Sequence, residues 1–282
     1  MKRCIKSWFF YLKNVFFVVS TLIGFIFVFL PLPETTTSNI KTRVLIIAVI
    51  LALAIIASIV WMVIDSKQKS KKLYEKGKTK VFFEYGKLEE VLESVTTNDD
   101  SVVTFVIPIN SNLEVSSNIE NIKQGTTHHW ALEQIGINVD INFISGLKQK
   151  SDGFDKNGKK GDWFLVTKEE SKIDKNVQFL FLEVFDIENR NGKWQNADLL
   201  SDDYLAILQK CIIAIYQNLD YESKVYMPLI GAGAGNVAKP EDIMQLLANL
   251  LKFNRGKLRH EVHVLIDGKY RKDTPICQLI EF

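Results

Sequence analysis

The sequence predicts an α/β domain with a mixed or largely parallel sheet and flanking helices, preceded by a two-helix transmembrane hairpin. Three observations predict it. Strand-like and helix-like segments alternate from residue 80 to residue 282. One strand, opening at Lys224, breaks at Gly231-Ala232-Gly233-Ala234-Gly235 and restarts as a helix near Pro240. Two long apolar runs lie within the first 64 residues, while the remainder has the composition of an ordinary soluble domain.

The apolar runs set the domain organisation. The first spans about residues 8–30, with Lys13 able to snorkel toward the interface. The second, Val44 to Ile64, holds 21 residues and no charge, enough at about 1.5 Å per residue to cross a hydrocarbon core of roughly 30 Å. Lys2, Arg3 and Lys6 would also suit a cleaved leader. Pro31-Leu32-Pro33-Glu34 has no small-x-small cleavage pattern, so a retained anchor is expected. Basic residues flank the outer ends of both runs, and the connecting loop carries only Lys41 and Arg43. The positive-inside rule then places both termini in the cytoplasm and the short loop outside. The expected division is a hairpin over 1–66, a basic linker over 67–79 that settles on anionic lipid, and an α/β domain over 80–282.

Within the soluble part, Lys80 to Tyr85 reads as a strand, and Lys87 to Val95 as a helix with Leu88, Val91, Leu92 and Val95 on one face. Ser101 to Ile107 is β-branched and apolar, as in a strand buried on both faces, and is expected to end at Pro108. A helix-like segment covers Trp130 to Ile135. Trp163 to Thr167 and Val177 to Phe185 read as strands, with Asn189 to Asn196 a loop. Ser201 caps a helix to Leu219 whose buried face is Leu205, Leu208, Ile212, Ile215 and Tyr216. The helix after Pro240 carries Ile243, Leu246, Leu247, Leu250 and Leu251 at helical spacing. His260 to Ile266 is a strand, and Ile276 to Phe282 a last strand.

Chemistry-bearing residues gather at strand ends. Asn110-Ser111-Asn112-Leu113 follows the buried strand, where open α/β sheets receive ligands. The glycine loop, from Gly231 through Asn236, lets a ligand approach the backbone, and the helix start behind it favours an anion. His128 and His129 are adjacent, so they point apart and no third ligand joins them; hydrogen bonding suits them better than a metal. His260 and His263 read as structural. A net charge of +2 provides no global field for nucleic acid. Three widely spaced cysteines, Cys4, Cys211 and Cys277, read as free thiols.

The two strand-end loops together resemble the macro domain, an α/β module that binds ADP-ribose and related nucleotides. Asn110, Ser111 and Leu113 match the family's asparagine-ended strand and Ser-x-Leu turn at the distal ribose. Pro228 through Gly233 match its diphosphate loop. The resemblance covers roughly residues 80–282 and implies a macro-like mixed sheet. Two departures matter. Glu114-Val115-Ser116-Ser117 stands where hydrolysing members carry three glycines and an aspartate, which argues against an enzyme. Lys87 follows Gly86 where an aspartate often holds adenine. The segment Gly125 to His129, through Thr126, Thr127 and His128, is then expected to supply a replacement contact.

Two amino-terminal spans joined to a divergent macro domain resemble the membrane-anchored effectors of type II Thoeris anti-phage systems. That resemblance implies a TIR-domain enzyme as the source of an ADP-ribose-derived signal, histidine-linked ADP-ribose among the forms. It further implies no cofactor, a homo-oligomer, and disruption of the lipid bilayer when the signal binds. The alternative is a membrane-anchored ADP-ribosyl hydrolase with Asn110 and His128 placing a water.

Overall fold

The computed structural model describes residues 12–13, 15–17, 19–21, 49–50, 52–60, 63, 67–96, 101–110, 119–122, 124–135, 160–171, 173–185, 187–190, 193–196, 201–219, 223–232, 237–271, 274, 276 and 279. The chain divides into two compact units, Met1–Gln68 and Lys69–Phe282.

In the first unit, residues 52–60 are helical, with Leu53 and Ile56 more than half exposed. Among the described residues no helix is long and apolar enough to cross a membrane. The expected transmembrane hairpin, over 8–30 and 44–64, is described only in part, over 12–13, 15–17, 19–21, 49–50, 52–60 and 63.

The second unit is built on a seven-stranded mixed sheet in the order β1-β2-β9-β8-β3-β5-β4. Its elements are β1 (Ser70–Lys76), β2 (Thr79–Tyr85), α1 (Leu88–Ser94), β3 (Val103–Asn110), α2 (Thr127–Ile135), β4 (Trp163–Val166) and β5 (Val177–Phe185). There follow the hairpin β6 (Ile187–Arg190) and β7 (Lys193–Asn196), then α3 (Ser201–Asn218), β8 (Lys224–Pro228), α4 (Pro240–Asn254) and β9 (Glu261–Ile266). Strands β2, β9, β8, β3 and β5 run parallel, and β1 and β4 close the edges antiparallel.

Strand alternation sends side chains to two cores. Val81, Val106, Leu180, Val225, Met227, Val262 and Val264 pack with α3 and α4 on one face. Phe105, Ile107, Ile109, Phe179 and Phe181 pack with α1 and α2 on the other. A strand covered on both faces must be apolar at every position, and β5 is buried along its whole length.

Several expectations change. The lysine-rich segment taken as a linker contains β1, which forms a hairpin with β2 through Gly77 at φ 61°, so the folded unit starts at Lys69. Only Leu73 of β1 is buried, and the lysines suit a sheet edge that must not pair with another chain. Residues 189–196, taken as a loop, include most of the β6–β7 hairpin. On α3, Leu208, Ile212 and Ile215 are buried as expected, but Leu205 is 43% exposed and the face widens to take in Tyr204, Ile207 and Cys211. At the carboxyl end, the Leu279 amide donates to the Ile276 carbonyl at 3.1 Å, a turn where a strand was expected.

Strand β3 runs on through Pro108 to Asn110. Its pairing with β8 covers only Val103↔Lys224, Thr104↔Val225 and Phe105↔Tyr226, while its pairing with β5 continues to Asn110. Pro108 lies on β3 beyond the last pair and Pro228 ends β8. Neither has an N–H to give to a ladder, so the two strands part where the prolines stand.

Candidate functional site

The parting of β3 and β8 opens at the carboxyl edge of the sheet. Beyond the last pair, β3 runs on to Asn110 and β8 leads through Pro228 to Gly231, so both chain ends lie at this edge. The chain leaves β3 toward α2 on one face and leaves β8 toward α4 on the other. Adjacent strands whose connections depart to opposite faces mark the switch point at which α/β sheets take ligands.

Two tyrosines fix the entry to the glycine loop. The Tyr204 hydroxyl donates to the Ile230 carbonyl at 2.6 Å, and the Tyr270 hydroxyl donates to the Ala232 carbonyl at 2.7 Å. Between them, the Gly231 carbonyl accepts from the Val237 amide at 3.1 Å. Three successive carbonyls are thus held by the protein itself, which fixes the backbone over Ile230–Ala232 at the entry to the loop. Gly231 has φ 83°, a left-handed conformation, and a Cβ there would stand 3.2 Å from Tyr204 and from Val237. Burial raises the Tyr204 phenol, and the nearby Cys211 adds to the effect, so the hydroxyl stays a donor.

Asn110, half-buried, ends β3 just past an irregularity in the β3–β5 register: Ile109 pairs with Glu183, but Asn110 pairs with Phe185. By strand alternation it shares the face of Val106, the face that carries Tyr204 and the start of the glycine loop. The structure therefore brings Asn110, Gly231 and Ala232 to one edge. Ser111, Asn112, Leu113, Gly233, Ala234, Gly235 and Asn236 lie outside the described residues.

Thr126, Thr127 and His128 are placed differently. Thr126 caps α2, its hydroxyl accepting from the His129 amide at 3.2 Å, and Thr127 is the first helical residue. His128 is buried, with its ring edge-on to Phe181 at 6.4 Å, and Trp130 meets Phe179 further down. α2 thus runs antiparallel to β5, and its amino end, the positive end of its dipole, lies toward the carboxyl edge. These residues approach that edge from the face opposite the glycine loop.

Sequence reasoning passed over Glu183, fully buried near the carboxyl end of β5 and directly across from Ile109. The signal was available: it is the one charged residue in VQFLFLEVF. Tyr204 and Tyr270 were also missed, because a tyrosine that braces a loop from another element leaves no pattern in its own segment.

His263 holds a structural station. Its ring stacks between Phe82 and Tyr226, with centroids 4.7 and 4.5 Å away. Nδ1 lies 2.8 Å from Glu84 and Nε2 lies 3.0 Å from Glu261. Burial pushes the Glu261 carboxyl up, but His263 and Lys80 outweigh it and hold it lowered. Among the described residues no group of three metal-binding side chains occurs.

No family model and no curated protein matches the chain. Solved structures do. A macrodomain mutant from Oceanobacillus iheyensis is similar at 10% identity and TM-score 0.45, over 72% of this chain and 88% of that one. Another mutant, with ADPR, is similar at 11% identity and TM-score 0.46, over 72% and 93%. The same organism's macrodomain with ADP is similar at 12% identity and TM-score 0.46, over 72% and 91%. At such scores the likeness is one of outline, and the architecture rests on the strand order and register given above.

Proposed function

We propose that the unit Lys69–Phe282 binds an ADP-ribose-derived nucleotide in the crevice between β3 and β8. The observation that carries the reading is the parting of these strands, which leaves Asn110 and the start of the Gly231 loop at the same carboxyl edge of the sheet. A short polar amide on one wall suits a ribose hydroxyl. A glycine loop with its carbonyls held elsewhere suits a diphosphate on the other. The macro-like sequence features, Asn110-Ser111-Asn112-Leu113 and Pro228 through Gly233, support the same ligand class.

In this reading the protein is a nucleotide-gated membrane effector. The uncharged run from Val44 to Ile64 anchors it in the inner membrane. A TIR-domain enzyme supplies the signal, and binding favours an assembled state that disrupts the bilayer. A ligand shifts such an equilibrium only by its differential affinity for the two states. The role is binding rather than catalysis. Incubation of the protein with an ADP-ribosylated substrate distinguishes it from a hydrolase: bound but unchanged nucleotide supports the effector, and turnover abolished by Asn110→Ala overturns it.

A further inference from the structure

We infer that the turn following β9 is a strap coupling the glycine loop to the point where the chain enters the folded unit, so that a nucleotide in the crevice is read at Lys69. This rests on the nucleotide-binding reading above and goes beyond it, because it assigns the route by which occupation leaves the site.

The two ends of the strap share one edge of the sheet. β1 runs antiparallel to β2 with Ser70 opposite Glu84, and the Tyr85 amide donates to the Lys69 carbonyl at 2.8 Å. The chain therefore joins the unit at the carboxyl edge, the edge that carries the crevice. β9 lies between β2 and β8, so the ends of those two strands stand two spacings apart, about 10 Å. Both are tied to the end of β9. The Leu265 carbonyl accepts from the Leu229 amide at 2.9 Å, and the Ile266 carbonyl accepts from the Gly86 amide at 3.1 Å.

Side chains after β9 bridge the same gap. Asp267 caps the three-residue turn Gly268–Tyr270 by accepting from the Lys269 amide at 2.9 Å. The Tyr270 hydroxyl reaches the Ala232 carbonyl at the glycine loop. The Tyr270 carbonyl accepts from the Thr274 amide at 2.9 Å and from its hydroxyl at 2.8 Å. The Thr274 carbonyl accepts from the Tyr85 hydroxyl at 2.7 Å, and that hydroxyl accepts from the Ile276 amide at 3.1 Å. Arg271 lies over the Tyr85 ring, 4.9 Å from its centroid. A run of hydrogen bonds through Tyr270, Thr274 and Tyr85 thus joins Ala232 to Lys69. Thr274 is fully buried, so it relays and does not touch a ligand.

A turn this short has poor internal hydrogen-bond geometry, so the bonds at its two ends set its place. Coupling of this kind is carried by a contiguous network with two arrangements, here held and released. Holding the Ala232 carbonyl orients the planar peptide unit by which the chain passes into the loop. A ligand seated on the loop binds best when that unit is fixed, and so favours the held state. By linkage, the held state favours the ligand by the same factor. Everything amino-terminal, the expected anchor included, connects to the fold through Lys69, so the held strap fixes the start of that connection.

The test follows amide exchange in the full chain, in mild detergent, with and without saturating ADP-ribose. The Lys80 amide, bonded to the His260 carbonyl at the other end of β2, is the reference. ADP-ribose is expected to slow exchange at Tyr85 and Ile276 by about fivefold or more, the lower end of ordinary coupling between sites, and to leave Lys80 unchanged. In Tyr85→Phe, which keeps the ring and the backbone amide, ADP-ribose still gives saturable heat but the slowing at position 85 is lost. Thr274→Val removes one of the two bonds on the Tyr270 carbonyl and is expected to shrink the slowing without loss of binding; it serves where Tyr85→Phe does not fold. No slowing at Tyr85 in the nucleotide-bound parent overturns the strap, as does equal slowing at Lys80 or undiminished slowing in both variants. Absence of binding by the parent sinks the nucleotide reading, not the strap. Exchange without nucleotide then decides: faster exchange at Tyr85 than at Lys80 on introducing Tyr270→Phe supports the strap, and equal change at both overturns it.

Discussion

The Tyr204 hydroxyl donates to the carbonyl of Ile230 at 2.6 Å, tying α3 to the first residue of the turn that opens the glycine loop. Both partners are buried, so the bond sets the path of the loop at the point where β8 ends. Tyr204→Phe leaves a buried carbonyl without this donor and is expected to cost about 1–3 kcal/mol. Urea denaturation measures the loss, and titration with ADP-ribose is expected to show weaker binding in the same variant.

Gly231→Ala tests the same turn from the backbone. An alanine must adopt φ 83° and set its Cβ 3.2 Å from Tyr204 and Val237. The left-handed conformation alone costs about 1–2 kcal/mol, and the crowding adds to it. A urea midpoint within error of the parent would contradict the turn as described. Gly256, with nothing within 4 Å of a built Cβ, provides the control: Gly256→Ala is expected to be close to neutral.

Alkaline stability follows from two buried acids on α3. Burial raises the Tyr204 phenol and pushes the Cys211 thiol from 9.0 up to about 12. A group raised in the folded state contributes fully below its unfolded value and loses that contribution as pH climbs toward the folded one. Stability is therefore expected to fall from about pH 9 upward. Cys211→Ala flattens the decline between about 9 and 12, which urea midpoints across that window would read. The thiol is also expected to resist alkylation in the native protein, because the thiolate is the reactive form.

The His263 clamp makes the opposite prediction in acid. The Glu261 carboxyl is lowered, so its contribution is present above the ordinary 4.5 and is lost as pH falls through the folded value. His263→Phe preserves the stack on Phe82 and Tyr226 but removes the partner of Glu84 and Glu261. Acid unfolding is then expected to begin at higher pH than in the parent, as followed by circular dichroism.

Where hydrophobic periodicity was strong, the sequence already declared the fold. β5 and β9 appear within a residue of their expected bounds, and α4 begins at Pro240 as its first-turn residues imply. It failed where tertiary context outweighs local pattern. β1 is an edge strand, so its lysines resemble a solvated linker until β2 pairs with it. On α3, Leu208, Ile212 and Ile215 are buried as their spacing implies, whereas Tyr204 is buried with its hydroxyl on the Ile230 carbonyl, a bond that periodicity cannot register. Pro108 was taken as the end of β3, yet it lies inside the strand and helps to make the crevice. Asn110 and Gly231 were legible as a pair of strand ends, whereas their meeting at one edge depends on β3 and β8 being parallel neighbours.

The measurement that tests the central claim most directly is calorimetric titration of residues 69–282 with ADP-ribose, alongside Asn110→Ala and Gly233→Glu. The account predicts saturable one-to-one heat for the parent. It predicts binding weakened by about threefold to tenfold in Asn110→Ala, the worth of one hydrogen bond, and abolished in Gly233→Glu, where a carboxylate stands in the diphosphate path. Absence of heat with the folded parent, or equal affinity in all three proteins, would contradict it.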